Sequence, residues 1–161
     1  MAGYSGTPLP KKLGIKEQFR VALLDLPADV KAELKSTLAD CKFAKDGPVD
    51  FAMIFVKTAG ELKAQFPRFA KRLAPTGMVW VSWPKKTSGL ASDLNENEVR
   101  RIGLEGGLVD VKVCAVTEIW SGLKFVIRLK DREAKLAPLV TRRMRRGALA
   151  PPERASRPSP Q

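Results

Sequence analysis

The sequence predicts a mainly parallel α/β sheet flanked by helices and closed by a C-terminal antiparallel hairpin. Three observations carry this. Strand-like and helix-like segments alternate from residue 21 to residue 107. The most apolar strand-like run, 49–56, is apolar almost throughout, as a strand covered on both faces must be. The section 109–129 alternates apolar and polar residues with no helix between its halves.

Residues 21–26 (VALLDL) form a short apolar run and give the first strand. Pro27 suits a helix start, where a missing N–H goes unnoticed, and Val30, Leu34 and Leu38 then share one helical face. Residues 40–44 read as a weak edge strand, and 49–56 (VDFAMIFV) as the centre of the sheet. Thr58 and Glu61 match a capping box, in which each side chain satisfies a backbone N–H left unpaired by the new helix. That helix carries Leu62, Phe66, Phe69 and Leu73, and Pro67 within it predicts a kink or two consecutive helices. Pro75 and Gly77 read as closing the unit before a third buried strand at 78–83 (MVWVSW). After a loop at 84–93, Asn95 with Glu98 gives a second cap, Leu94 and Val99 its hydrophobic staple, and Gly106-Gly107 its end. The last section is two strands joined at Trp120-Ser121-Gly122.

Residues 1–132 therefore form one α/β domain with an N-terminal arm over about residues 1–18. Residues 133–161 are a basic, Pro- and Arg-rich tail, expected to be disordered because such a composition cannot bury a core. The chain has 161 residues, 29 Lys+Arg against 17 Asp+Glu, no His and two Cys, for a formal charge of +12. The absence of histidine excludes Ser-His-Asp and Cys-His nucleophiles and removes the commonest metal ligand, so no metal site and no catalytic residue is assigned. Cys41 and Cys114 are far apart, belong to no C-x-x-C pair, and read as reduced, buried thiols. No apolar run is long enough for a signal peptide or a membrane span, so a cytoplasmic protein without membrane contact is expected.

In an open α/β sheet the binding crevice lies outside the carboxyl ends of the strands. The strand assignments put Asp25, Lys57, Thr58, Trp83, Lys85, Lys86, Glu118 and Trp120 there. Three lysines and two tryptophans suit an anionic, planar or phosphate-bearing ligand. Lys11 and Lys12 of the arm join this candidate set. The cluster Arg142, Arg143, Arg145 and Arg146 suits non-specific association with nucleic acid or another polyanion. The turn after the first strand reads Asp25-Leu26-Pro27-Ala28 and carries no glycine.

The blocks 3–16 (GYSGTPLPKKLGIK), 79–89 (VWVSWPKKTSG) and 110–132 (DVKVCAVTEIWSGLKFVIRLKDR) resemble a family of small bacterial proteins, a domain of unknown function described as methyltransferase-like. The resemblance covers roughly residues 1–132 and implies a Rossmann-like sheet of the class I methyltransferase kind, with no established activity. The sequence departs from true methyltransferases in lacking both the glycine-rich cofactor turn and an acidic residue at the end of the second strand. The expectation is therefore a non-catalytic Rossmann-like module with no cofactor, recognising an anionic ligand or protein partner through Lys11, Lys12, Lys85 and Lys86. The alternative is a divergent S-adenosylmethionine-dependent methyltransferase that uses the 3–14 arm and the Trp83 loop.

Overall fold

The computed structural model describes residues 7–132, so Arg142, Arg143, Arg145 and Arg146 lie outside the described residues. The elements run α1 (Leu9–Leu13), β1 (Arg20–Leu24), α2 (Ala28–Ala39), β2 (Lys42–Phe43), β3 (Val49–Phe55), α3 (Ala59–Ala70) and β4 (Leu73–Pro84). A single 3₁₀ turn at Lys86–Ser88, α4 (Glu96–Glu105), β5 (Leu108–Ala115) and β6 (Trp120–Ile127) follow. They build one six-stranded sheet in the order β2-β1-β3-β4-β6-β5. β2, β1, β3 and β4 are mutually parallel, and β6 is antiparallel to both of its neighbours.

Each face of the sheet carries its own core. On one, α3 and α4 bring Leu62, Phe66, Phe69, Val99 and Ile102 onto Ala52, Ile54, Val79, Val81, Leu123 and Phe125. On the other, α1 and α2 bring Leu9, Leu13, Val30, Leu34 and Leu38 onto Val21, Phe51, Met53, Phe55 and Trp80. Burial on both sides explains why 49–56 is apolar at successive positions instead of alternating. The arm is tied down by the Trp80 indole, which donates to the Leu13 carbonyl at 2.8 Å. At the amino ends of the strands, Arg20 clamps Asp50 through its backbone N–H (2.9 Å), Nε (3.0 Å) and Nη2 (2.9 Å), fixing β1 against β3.

Both caps form as the sequence requires. The Thr58 side chain accepts from the Glu61 amide at 3.1 Å while Glu61 accepts from the Thr58 amide at 3.2 Å, and Asn95 accepts from the Glu98 amide at 2.8 Å. Four local expectations change. The arm contains the short helix α1. Pro67 lies inside the single helix α3 near its last turn, with its own ring exposed. β4 begins at Leu73 and passes through Pro75 and Gly77, where the pairing with β3 shifts register; a Cβ on Gly77 would lie 2.9 Å from the Val49 carbonyl oxygen. The β5–β6 turn is 116–119, and Trp120-Ser121-Gly122 already pairs with β4. Thr117 makes that turn by accepting from the Ile119 and Trp120 amides, a local role its hydroxyl suits.

Candidate functional site

β1 sends its chain outward to β2 on one side, whereas β3 lies on the other. The direction of winding reverses between β1 and β3, and in open α/β sheets ligands bind at the carboxyl ends of such a strand pair. The turn out of β1 is made by Asp25 at φ 55°, in the left-handed region that L-residues avoid and that Asp tolerates better than most. The glycine-free turn is thus still a sharp one, with Asp25 in the conformation a glycine would supply. α2 follows at once behind Pro27, which carries no side-chain cap, so the first-turn amides of Ala28, Asp29 and Val30 have no capping acceptor.

The neighbouring helix start differs. At α3, Glu61 accepts from the amides of Lys57 (2.9 Å) and Thr58, Thr58 accepts from Glu61, and Asp93 accepts from the Ala59 amide at 2.7 Å. Ser92 donates to the Lys57 carbonyl at 2.7 Å. The loop after β4 is thereby laced over the end of β3, whereas Ala28 and Asp29 at the start of α2 are exposed and uncapped.

The expected edge residues do gather at this end of the sheet, in different roles. Lys57 and Thr58 close β3, with the Thr58 oxygen engaged in the cap. The Lys85 amide donates to the Ile119 carbonyl at 2.8 Å, joining the end of β4 to the 116–119 turn, where Glu118 is exposed. Lys86 is exposed in the 3₁₀ turn. The two tryptophans sit on opposite faces of the sheet. Trp83 is 5% exposed in the α3–α4 core, and Trp120 is 7% exposed in the α1–α2 core, edge-on to Phe55 at 5.1 Å between centroids. Lys11 is exposed on α1, and Lys12 Nζ donates to the Ala115 carbonyl at 3.0 Å, bringing the arm to the end of β5.

Two features escaped sequence reasoning. The Ser82 hydroxyl, next to Phe55 and Gly122 in the sheet, is fully buried and has no hydrogen-bond partner. At the opposite end of the molecule, Lys45, Asp46, Arg68, Lys71 and Arg72 line a concavity of about 380 Å³. There the Arg72 guanidinium is taken up by the carbonyls of Gly47 (2.9 Å) and Ala44 (2.9 Å). Among the described residues no group of three or more His, Cys, Asp or Glu is placed to hold a metal ion, and no helix is long and apolar enough to cross a membrane.

No protein-family model and no curated protein matches the chain. Solved structures do. An S-adenosylmethionine-dependent methyltransferase from Aquifex aeolicus superposes with a TM-score of 0.52 at 16% identity, over 74% of this chain and 88% of that one. The magnesium protoporphyrin IX methyltransferase of Synechocystis PCC 6803, solved with bound S-adenosylhomocysteine, gives 0.52 at 12% identity, over 74% and 78%. The fold is accordingly the methyltransferase-like Rossmann fold. These matches, both to S-adenosylmethionine methyltransferases and one solved with a bound cofactor product, overturn the expectation of a non-catalytic module with no cofactor. The physical reason lies at Asp25: absence of glycine argues against a backbone that turns sharply here, and Asp25 takes the left-handed conformation without it.

Proposed function

We propose that the chain is a divergent S-adenosylmethionine-dependent methyltransferase whose cofactor occupies the crevice between the ends of β1 and β3. The observation that carries the reading is the β1–α2 turn, with its left-handed Asp25 and its uncapped first-turn amides. That donor set suits the amino-acid end of the cofactor: amides at a helix N-terminus favour a carboxylate, and the Asp25 carboxylate accepts from an ammonium or a hydroxyl. β2 ends in Phe43 and is followed by Ala44 and Lys45, so the ribose hydroxyls must find an acceptor other than a carboxylate at that strand end. When bound, the cofactor supplies a sulfonium methyl that passes to a substrate lone pair while the bonding electrons return to sulfur. With no histidine in the chain, a proton released by the nucleophile goes to a carboxylate at this edge, of which Glu118 is exposed, or to solvent. The quoted sequence blocks support grouping the chain with the small methyltransferase-like bacterial proteins they resemble.

The test is thermal unfolding of the full chain with S-adenosylmethionine and S-adenosylhomocysteine. A ligand at a hundred times its dissociation constant adds about 2.7 kcal/mol, a rise of roughly 5–15 °C in Tm for a domain of this size. Saturable stabilisation that disappears in Asp25→Asn supports the reading. A flat response at millimolar cofactor overturns it.

A further inference from the structure

We infer that the α1-side face of the β5–β6 hairpin, centred on Lys112 and Lys124 and bordered by Lys12 and Lys85, binds the phosphodiester backbone of a nucleic acid. The register puts Lys112 directly opposite Lys124, and Lys124 opposite Trp80, so both lysines belong to the face on which Trp80 packs. Like charges directly opposed across an antiparallel pair are destabilising. Among the described residues neither lysine has an acid within ion-pair distance, whereas Arg20, Arg100 and Arg101 all do. The Lys124 ammonium is held below the ordinary lysine range, first by burial and then by Lys112.

The hairpin's other lysine neighbours converge on the same area. Cys114 lies on β5 opposite Gly122; burial pushes its thiol up, and the charges of Lys12, Lys112 and Lys85 oppose that shift. Lys12 is brought there by its bond to the Ala115 carbonyl. The cations come from α1, the loop after β4, β5 and β6, with Lys112 exposed and Lys12, Lys85 and Lys124 half-buried. Such a row of single charges matches a polymer carrying a phosphate at every step, and it relieves the Lys112–Lys124 repulsion when occupied. Val111, in the β-bulge and 52% exposed, adds an apolar surface at the same edge for a base or sugar. The inference is independent of the methyltransferase reading, since it rests on the hairpin and not on the β1–β3 crevice.

The test is fluorescence anisotropy of the full chain with a labelled 20-nucleotide single-stranded RNA and a 20-base-pair DNA duplex across a salt series. Wild type is compared with Lys112→Gln/Lys124→Gln, with Lys112→Arg/Lys124→Arg, and with a variant carrying Arg→Gln at 142, 143, 145 and 146. Each lost phosphate contact lowers the salt slope by about 0.7 for a single strand and about 0.9 for a duplex. The double Gln variant is therefore expected to bind about 25- to 60-fold more weakly at 0.1 M salt, also in the tail-neutralised background, with the Arg variant retaining binding. Its Tm should equal or exceed that of wild type, because a like-charge pair has been removed. That opposition between affinity and stability separates a ligand-binding role from a structural one. The stronger of the RNA and duplex responses identifies the nucleic acid. An unchanged slope in Lys112→Gln/Lys124→Gln, loss confined to the tail variant, or no wild-type binding at low salt overturns the inference. Failure here with cofactor stabilisation intact leaves the methyltransferase reading standing.

Discussion

Asp25 carries two properties that substitution can separate. Its left-handed backbone costs an ordinary L-residue roughly 1–2 kcal/mol, and Asn tolerates that conformation as Asp does. Asp25→Asn is expected to unfold in urea at the wild-type midpoint while losing cofactor stabilisation, whereas Asp25→Val should lose about 1–2 kcal/mol of stability. Ser82 is the converse case, a polar group with no visible task. Its buried, unpaired hydroxyl costs on the order of 1–3 kcal/mol, so Ser82→Ala is expected to be neutral or more stable in the same denaturation. A clear loss of stability would mean that the hydroxyl has a partner. Asp50 shows how a single pair responds to pH. The hydrogen-bonded Arg20 guanidinium holds the Asp50 carboxyl below its ordinary range. Its contribution is thus fully present above the unfolded value near pH 4 and fades as pH falls through the lower folded value. Asp50→Asn should flatten that acid limb of the stability–pH curve and leave the neutral-to-alkaline limb in its wild-type shape.

At the scale of elements, the caps are the most local devices and the easiest to test. Thr58→Ala removes the acceptor for the Glu61 amide and is expected to cost about 1 kcal/mol in thermal or urea unfolding. Such caps were legible because their logic lies within four residues, and so was β3, whose two-sided burial marks every position but Asp50. β2 was visible only as a weak edge, because two residues with exposed side chains leave little pattern. Its shortness also lets residues 44–48 reach β3 without the long crossover that parallel strands ordinarily require. β4 was placed too late since Pro75 and Gly77 carry the ordinary signs of a stop, and only the pairing with β3 shows a bulge instead. The hairpin turn was misplaced for a similar reason. Gly122 reads as a turn residue, yet a Cβ there would press on Val116 and Trp80, so its smallness serves packing. The carboxyl-edge residues could be listed because strand ends follow from strand positions. The left-handed Asp25 and the Lys112–Lys124 opposition could not, since backbone sign and register are absent from composition and spacing.

At the scale of the molecule, the sheet's centre and its β2 edge are built differently, and amide hydrogen exchange reads that difference directly. β3 is buried along nearly its whole length between two helical layers, whereas β2 is a two-residue edge. Opening free energies range from near zero at poorly buried edges to the global value in the core, so β3 and the β4 residues paired with it should exchange last and β2 among the first. The cofactor reading adds a spatial signature to this background. The first-turn amides of α3 are already satisfied by Thr58 and Asp93 within the chain, and those of α2 are not. Saturating S-adenosylhomocysteine is thus expected to slow exchange at Ala28 and Asp29 beyond any global stabilisation, while Ala59 and Glu61 change only by the global amount. Protection at α3 with none at α2 would move the ligand to the β3–β4 side. Uniform slowing over the whole sheet would mean stabilisation without contact at the β1–α2 turn, and would remove Asp25 from the site.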